Sequence, residues 1–333
     1  MVDMRLLFVL LTCGPMLTAN PLELAIRRAR LSRTSATQTL ATQHRREVVL
    51  FGAIPLECGL DAFETRVRGI QTFKKGPEVL AVGRFQPHAA LNDLRTLKFA
   101  DAELDSLRRC RPGECDWRLP KSAIERLHRD ARWDQPGARQ RANDIVRDEI
   151  LASIRAYQEG GATRLPAYHD KATALSTGVE SREMIEASRG LLAEVPELQR
   201  HLLTYPAAPL SGAEDFFYWS LEKMGPRPVF SATHMTIYRT GPRLYIVSRQ
   251  IYGNHYLDGA LGISRLEQDP VHADRAWLEY VNRSRLGLLD GAFSSVRRMI
   301  LEEALRRTLH RYLNDLALRV RRPTLTAASL SNR

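Results

Sequence analysis

The sequence predicts an α+β protein in which an antiparallel sheet is closed by a long C-terminal helix. Three observations carry this expectation. A strand, helix, strand succession occupies 47–85, four β-type segments follow one another between 230 and 284, and an amphipathic run extends from Phe293 to Arg321.

The first element is Glu47 to Pro55, a short apolar run with β-branched residues that reads as a strand. In Leu60 to Phe73 the apolar positions Phe63, Val67, Ile70 and Phe73 recur every three or four residues, which puts them on one helical face. Lys74-Lys75-Gly76-Pro77 ends that helix, and Val79 to Phe85 gives a second strand. Pro87 to Lys121 reads as an irregular excursion bracketed by short helices, and 122–201 as helical. Asn143 to Gln158 is the clearest case, stopped by Gly160-Gly161.

Ser211-Gly-Ala-Glu214 has the form of a capping box, so a helix carrying Phe216, Phe217, Tyr218 and Trp219 is expected there. These aromatics read as core or as a pocket wall, with Glu214 and Asp215 giving it a polar end. From Val229 the pattern changes to strands at Phe230 to Arg239, Leu244 to Tyr252, Tyr256 to Leu266 and Ala276 to Ser284, with turns at Gly241-Pro242, Gly253-Asn254 and Asp269-Pro270. Successive strands with short turns imply an antiparallel meander. In the closing helix Val296, Ile300, Leu305, Leu309, Leu313, Leu316 and Val320 form an apolar stripe. Arg297, Arg298, Arg306, Arg307, Arg311 and Arg319 form a basic side.

The N-terminus has one basic residue, Arg5, before the apolar run Leu6-Leu7-Phe8-Val9-Leu10-Leu11, then small and polar residues up to Thr18-Ala19. This is the anatomy of a secretory signal peptide. The expected organisation is therefore a signal peptide at 1–19, a flexible lead at 20–45, a single unit at 46–322 with a mainly helical insertion at 87–228, and a disordered tail at 323–333. A periplasmic or secreted location follows.

Export gives the charge and the cysteines their meaning. The formal charge of +11 survives loss of the first nineteen residues, because Asp3 and Arg5 cancel. With no nucleic-acid motif, the partners expected of the basic charge are an anionic membrane surface rather than nucleic acid. Cys110-Arg-Pro-Gly-Glu-Cys115 places two cysteines around a Pro-Gly turn. In an oxidising compartment it reads as a disulfide, worth about 2 kcal/mol for so short a loop. A metal site competes poorly, since there is no second cysteine pair and no zinc spacing among His234, His255 and Asp258. Cys58 is left as a buried small hydrophobe.

The order strand, helix, strand, meander, long helix resembles the helix-grip fold of the START and polyketide-cyclase-like (SRPBCC) superfamily. The resemblance lies in Val48 to Val79, through Leu60-Asp-Ala-Phe-Glu-Thr-Arg-Val-Arg-Gly-Ile-Gln-Thr-Phe73, and in the meander with Asn282-Arg-Ser-Arg-Leu-Gly-Leu-Leu-Asp290 and the closing helix. The whole chain, including Cys-Arg-Pro-Gly-Glu-Cys, also resembles an uncharacterised family of exported bacterial proteins. The helix-grip resemblance implies a curved sheet wrapped around the C-terminal helix, leaving a cavity for a hydrophobic small molecule or lipid.

The candidate ligand-binding residues are Trp219, Tyr238, Arg249, Tyr252, His255 and Tyr256, drawn mainly from the dense polar and aromatic segment Arg249 to Asp258. An enzyme would use the same cavity with His255 and Asp258 as an acid and base pair. Ser231, Ser248 and Ser264 sit in no Gly-x-Ser-x-Gly frame, so no hydrolase triad is expected. The chain reads as a binding protein that needs no cofactor or metal.

Overall fold

The computed structural model describes residues 21–291 and 293–321. The expected signal peptide at 1–19 and tail at 323–333 lie outside the described residues.

The architecture is α+β, with an eight-stranded antiparallel sheet at its centre. In chain order the strands are β1 (Ala36–Leu40), β2 (Glu47–Leu56), β3 (Val79–Arg84), β4 (Ala213–Met224), β5 (Arg227–Thr240), β6 (Arg243–Gly253), β7 (Leu257–Gln268) and β8 (Ala276–Leu286). They lie side by side as β1-β2-β8-β7-β6-β5-β4-β3. The meander β4 to β8 forms one continuous block. β2 flanks its last strand, and β3 flanks its first.

The helices are α1 (Pro21–Ser32), α2 (Leu60–Arg68), α3 (Ile70–Phe73), α4 (Asp101–Leu107), α5 (Lys121–Asp130), α6 (Ala138–Gly160), α7 (Thr177–Ala187), α8 (Arg189–Leu192), α9 (Pro196–Thr204) and α10 (Ser294–Arg321). They divide between the two faces of the sheet. On the inner face, α2, α3 and α10 pack against Leu50, Tyr218, Met235, Ile246 and Leu278. On the outer face, α4 to α6 cover one half of the sheet and α1 with α7 to α9 the other.

Helix α10 grips the sheet by its C-terminal half. Leu309, Leu313, Leu316 and Val320 are buried at spacings of four, three and four, and Gly52 of β2 lies directly beneath Leu309 and Leu313, where a Cβ would clash. Truncating one of these leucines to alanine costs about 2–5 kcal/mol. The N-terminal half does not follow the expected stripe. Leu301 and Leu305 turn toward the sheet, whereas Val296 and Ile300 are exposed on the opposite side.

Two further expectations are corrected. The segment 211–219 starts no helix: Gly212 takes a positive φ in a turn and 213–224 is β4. Its consecutive aromatics are all buried because both faces of the strand are covered, with Phe216 and Tyr218 inward and Phe217 and Trp219 outward. Contiguous burial of this kind carries no helical period. The lead at 20–45 is likewise ordered from Pro21. Helix α1 buries Leu22, Ala25, Ile26 and Ala29 on one face, and β1 extends the sheet through pairing with β2.

Candidate functional site

Side chains on a strand alternate between faces, so each strand of the meander offers every second residue to α10. On an ordinary helix-covered face these would be apolar. Here some are, as at Tyr218, Met235, Ile246 and Leu278, but others are polar: Ser220 and Glu222 on β4, Ser231 and Thr233 on β5, Ser248 and Gln250 on β6, Ser264 on β7, and Tyr280, Asn282 and Ser284 on β8. Between this floor and α10 lies a cavity of two adjoining lobes, about 350 and 470 Å³, the first beneath Leu305 to Leu316 and the second beneath Leu301 and Leu305.

The lobes differ in character. The first is walled by Phe63, Val67, Ile70 and Phe73 of α2 and α3, with Leu309 and Leu313 above. The second has a polar floor containing Ser231, Thr233, Gln250 and Ser284 under Leu301. Both include Lys74, Tyr218, Glu222, Ser248, Tyr280, Asn282 and Leu305, which form the waist between them. Gly262 lets β7 pass at this point, since a Cβ there would stand 2.6 Å from the Ser248 hydroxyl and 3.1 Å from that of Tyr280.

At the waist the Lys74 ammonium donates to Glu222 at 2.6 Å, and the Ser220 hydroxyl donates to the same carboxylate oxygen at 2.6 Å. Burial works against the charge on Lys74, but Tyr218 and Glu222 outweigh it and raise the ammonium above its usual range. For Glu222 burial is again the largest opposing influence, and Lys74 with Ser220 holds the carboxyl below its usual range. The pair is therefore charged. Burial pushes the Tyr280 phenol up to about 12, which keeps it a neutral hydroxyl.

Of the residues expected to line the cavity, the structure places Tyr256 there. Trp219, Arg249, Tyr252 and His255 are buried on the outer face. Tyr238 is turned outward too, toward Glu197 of α9, 3.0 Å away. Alternation accounts for most of this, as Arg249 lies between the inward Ser248 and Gln250. For Tyr252 the cause is a β-bulge: pairing passes from Thr233–Gln250 to Ala232–Tyr252, skipping Ile251, which reverses the alternation.

The expected His255 and Asp258 acid and base pair is also corrected. His255 donates to Glu103 at 2.7 Å through Nε2 and contacts the Asp116 carbonyl at 2.9 Å through Nδ1. Asp258 instead takes ion pairs from Arg46 and, at 2.6 Å, from Arg118. Burial raises the Asp258 carboxyl against the opposing pull of these arginines. Each residue spends its polar atoms on a different partner, and neither faces the cavity.

A second polar cluster was not anticipated. Asp215 receives His234 Nε2 at 2.7 Å and Thr236 Oγ1 at 2.7 Å on one oxygen, and His201 Nε2 at 3.0 Å on the other. Behind His234 stands Tyr157, 3.0 Å from Nδ1, and Arg249 donates to the Tyr157 oxygen at 2.6 Å. Both ring nitrogens of His201 face acceptors, since Nδ1 is 2.9 Å from the Ala208 carbonyl. Burial would lower this imidazole, but Asp215 and that carbonyl raise it. Burial dominates at His234 and lowers it. At Asp215 burial is overcome by the two histidines, which hold the carboxyl well below its usual range. Asp215 borders an open cleft of about 680 Å³ with Arg84, Arg155 and Tyr205, but both its oxygens are already occupied by protein donors. The cluster reads as a structural tie between α6, α9 and the sheet.

Cys110 and Cys115 form the expected disulfide, and Cys58 is buried and unpaired among the described residues. No group of residues among those described is placed to hold a metal ion. The expected basic side of α10 is largely engaged: Arg306 and Arg307 pair with Glu303, Arg298 with Glu302, and Arg319 donates to the carbonyls of Phe73 and Lys75. No helix among the described residues is long and apolar enough to cross a membrane.

The sequence reading missed Lys74, Glu222, Gln250, Tyr280 and Asn282. The signal that could have found them is the period-two run of small polar residues on four strands of a sheet that sequence alone already placed beneath a helix. Comparison with known proteins returned no matching family model, no similar curated protein and no similar solved structure.

Proposed function

We propose that this is an exported binding protein that holds a hydrophobic or amphipathic small molecule, such as a lipid, between the inner face of the sheet and α10. One observation carries the reading. Ser248, Ser264, Tyr280, Asn282 and Ser284 are only partly buried although a helix lies over their face of the sheet. A cleft of several hundred Å³ with apolar walls and a few convergent polar groups has the character of a ligand site. The fold order that resembles the helix-grip superfamily supports the same reading, and the disulfide fits a periplasmic or secreted location.

Mass spectrometry of organic extracts from natively purified protein tests this. A reproducible small molecule is expected from the wild type and is lost in Leu305→Trp, which fills the waist. Absence of any extractable molecule, together with no uptake of added amphiphiles, would refute the reading.

A second reading, attachment to an anionic membrane surface, is favoured by the exposed apolar residues Phe293, Val296, Met299 and Ile300 at the start of α10. Co-sedimentation with anionic vesicles at low salt checks it. An unchanged supernatant removes it.

A further inference from the structure

The polar groups of the cavity bear on what kind of molecule it takes. We infer that the ligand is an uncharged amphiphile with at least one hydroxyl or primary amide at its polar end, seated on the β5, β6 and β8 floor, and an apolar portion in the α2, α3 and α10 lobe. This deepens the binding reading above and rests on it.

Two hydrogen-bonding groups define the polar end. Gln250 lines the second lobe, and its side-chain carbonyl, tucked behind the lobe's surface, has no partner among the described residues. An unpartnered buried acceptor is costly, so a ligand that binds there supplies a donor. Tyr280 lines the same lobe with the opposite need. Ser284 donates to the Asn282 carbonyl oxygen at 2.8 Å, and the Asn282 amide donates to the Tyr280 oxygen at 3.3 Å. That chain leaves the Tyr280 hydroxyl proton to give, so the ligand accepts there. A hydroxyl or primary amide both donates and accepts. A carboxylate cannot donate, and an ammonium cannot accept.

The waist argues against a formal charge. Lys74 and Glu222 stand 2.6 Å apart, with the Ser220 hydroxyl fixing the same Glu222 oxygen. A ligand anion near Lys74 meets Glu222, and a ligand cation near Glu222 meets Lys74. Attraction and repulsion largely offset each other, while the desolvation cost of the incoming charge remains. An uncharged polar group escapes that cost and still finds donors and acceptors. Along the cavity the apolar walls Phe63, Val67 and Ile70 lie on the other side of this waist from Gln250, which orders the ligand end to end.

The test uses three amphiphiles sharing a twelve-carbon chain: monolaurin, laurate and dodecylamine, each titrated by calorimetry into wild type, Glu222→Gln, Lys74→Met and Gln250→Leu protein, with folding checked by circular dichroism. Wild type is expected to bind monolaurin at least tenfold more tightly than either charged probe. Gln250→Leu is expected to weaken monolaurin about tenfold, because the buried donor and acceptor match is lost. Glu222→Gln exposes Lys74 and is expected to shift preference toward laurate, and Lys74→Met exposes Glu222 and shifts it toward dodecylamine. Should Glu222→Gln fail to fold, the Lys74→Met and Gln250→Leu arms decide the matter on their own.

Laurate or dodecylamine binding wild type as tightly as monolaurin, with that binding abolished by Leu305→Trp, overturns the ligand class and leaves the cavity reading standing. No probe binding, or binding indifferent to Leu305→Trp, sinks the cavity reading and this inference with it.

Discussion

Both faces of the sheet carry polar side chains, and they differ in how the charged ones are accommodated. On the outer face buried charges are matched to one another. Arg283 is held by Glu47 at 2.8 Å, Ser188 and the Ala187 carbonyl, while Arg285 is shared between Glu180 and Glu183. Arg265 reaches Glu194 and Glu279 beneath α8. On the inner face the polar groups are smaller, and the space above them is not filled by protein. A buried polar group finished by protein partners ties helices to the sheet, whereas one left facing a cavity is available to something else. The contrast sets an outer face whose buried charges are paired by protein against an inner face whose polar residues lie beneath unfilled space.

The sharpest way to break that contrast is on the outer side. Glu47 is the ion-pair partner of Arg283 among the described residues, and both are buried. Glu47→Leu leaves a buried guanidinium with neutral partners only, and is expected to cost about 3–5 kcal/mol, read from the urea midpoint. A cost below about 1 kcal/mol, within the range of an exposed pair, would show that the outer network is wetter and more adaptable than its burial implies.

Next in size is a pH effect at the Asp215 cluster. His201 has its pKa raised in the folded protein, so its stabilisation is complete below the ordinary value of about 6.5 and is lost as pH rises through the folded value. His234, lowered by burial, works in the other direction: its contribution is present above about 6.5 and declines as pH falls toward the folded value. Arg249 disfavours charge on both rings, and Asp215 favours it. His201→Gln removes the first contribution and leaves the second. The stability difference between wild type and variant is expected to be about 2 kcal/mol below pH 6, for a hydrogen bond between charged groups, and to shrink as pH rises. A difference that does not vary with pH would mean that His201 is neutral and acts through shape alone.

Much of this architecture was legible in the sequence, for definite reasons. The segments β2, α2 with α3, β3 and β5 to β8 each carry a clean period or turn residues, and the Cys110 to Cys115 loop is too short for a remote partner to be needed. Strand β4 was misread because both of its faces are buried. With Phe216, Phe217, Tyr218 and Trp219 all apolar and interior, no alternation survives to mark the strand, and a chance Ser-x-x-Glu supplied a false helix start. The site was less legible than the fold. Arg249, Tyr252 and His255 attract attention as a cluster of chemically versatile residues, yet which face a strand residue occupies depends on register, and at Tyr252 on a bulge that skips Ile251. Lys74 and Glu222 lie 148 positions apart, and their meeting depends on β3 and β4 being neighbours at the far edge of the sheet. Serines in strands look like solvent-facing residues until a helix is known to lie over them.

The smallest stability effect is expected on the inner face. Ser264 lies only partly buried on the cavity floor, so Ser264→Ala removes a hydroxyl without opening a packed core or stranding a charge. The variant should keep wild-type stability within about 0.5 kcal/mol, as for substitutions away from packed or networked positions. A loss of more than about 2 kcal/mol, the size of an unsatisfied buried partner, would mean that Ser264 belongs to a finished internal network like those on the outer face. Near-neutrality repeated at Ser248 and Ser284 would fit a cavity floor, because polar residues that contribute little to folding beneath a helix are available for contact with a bound molecule.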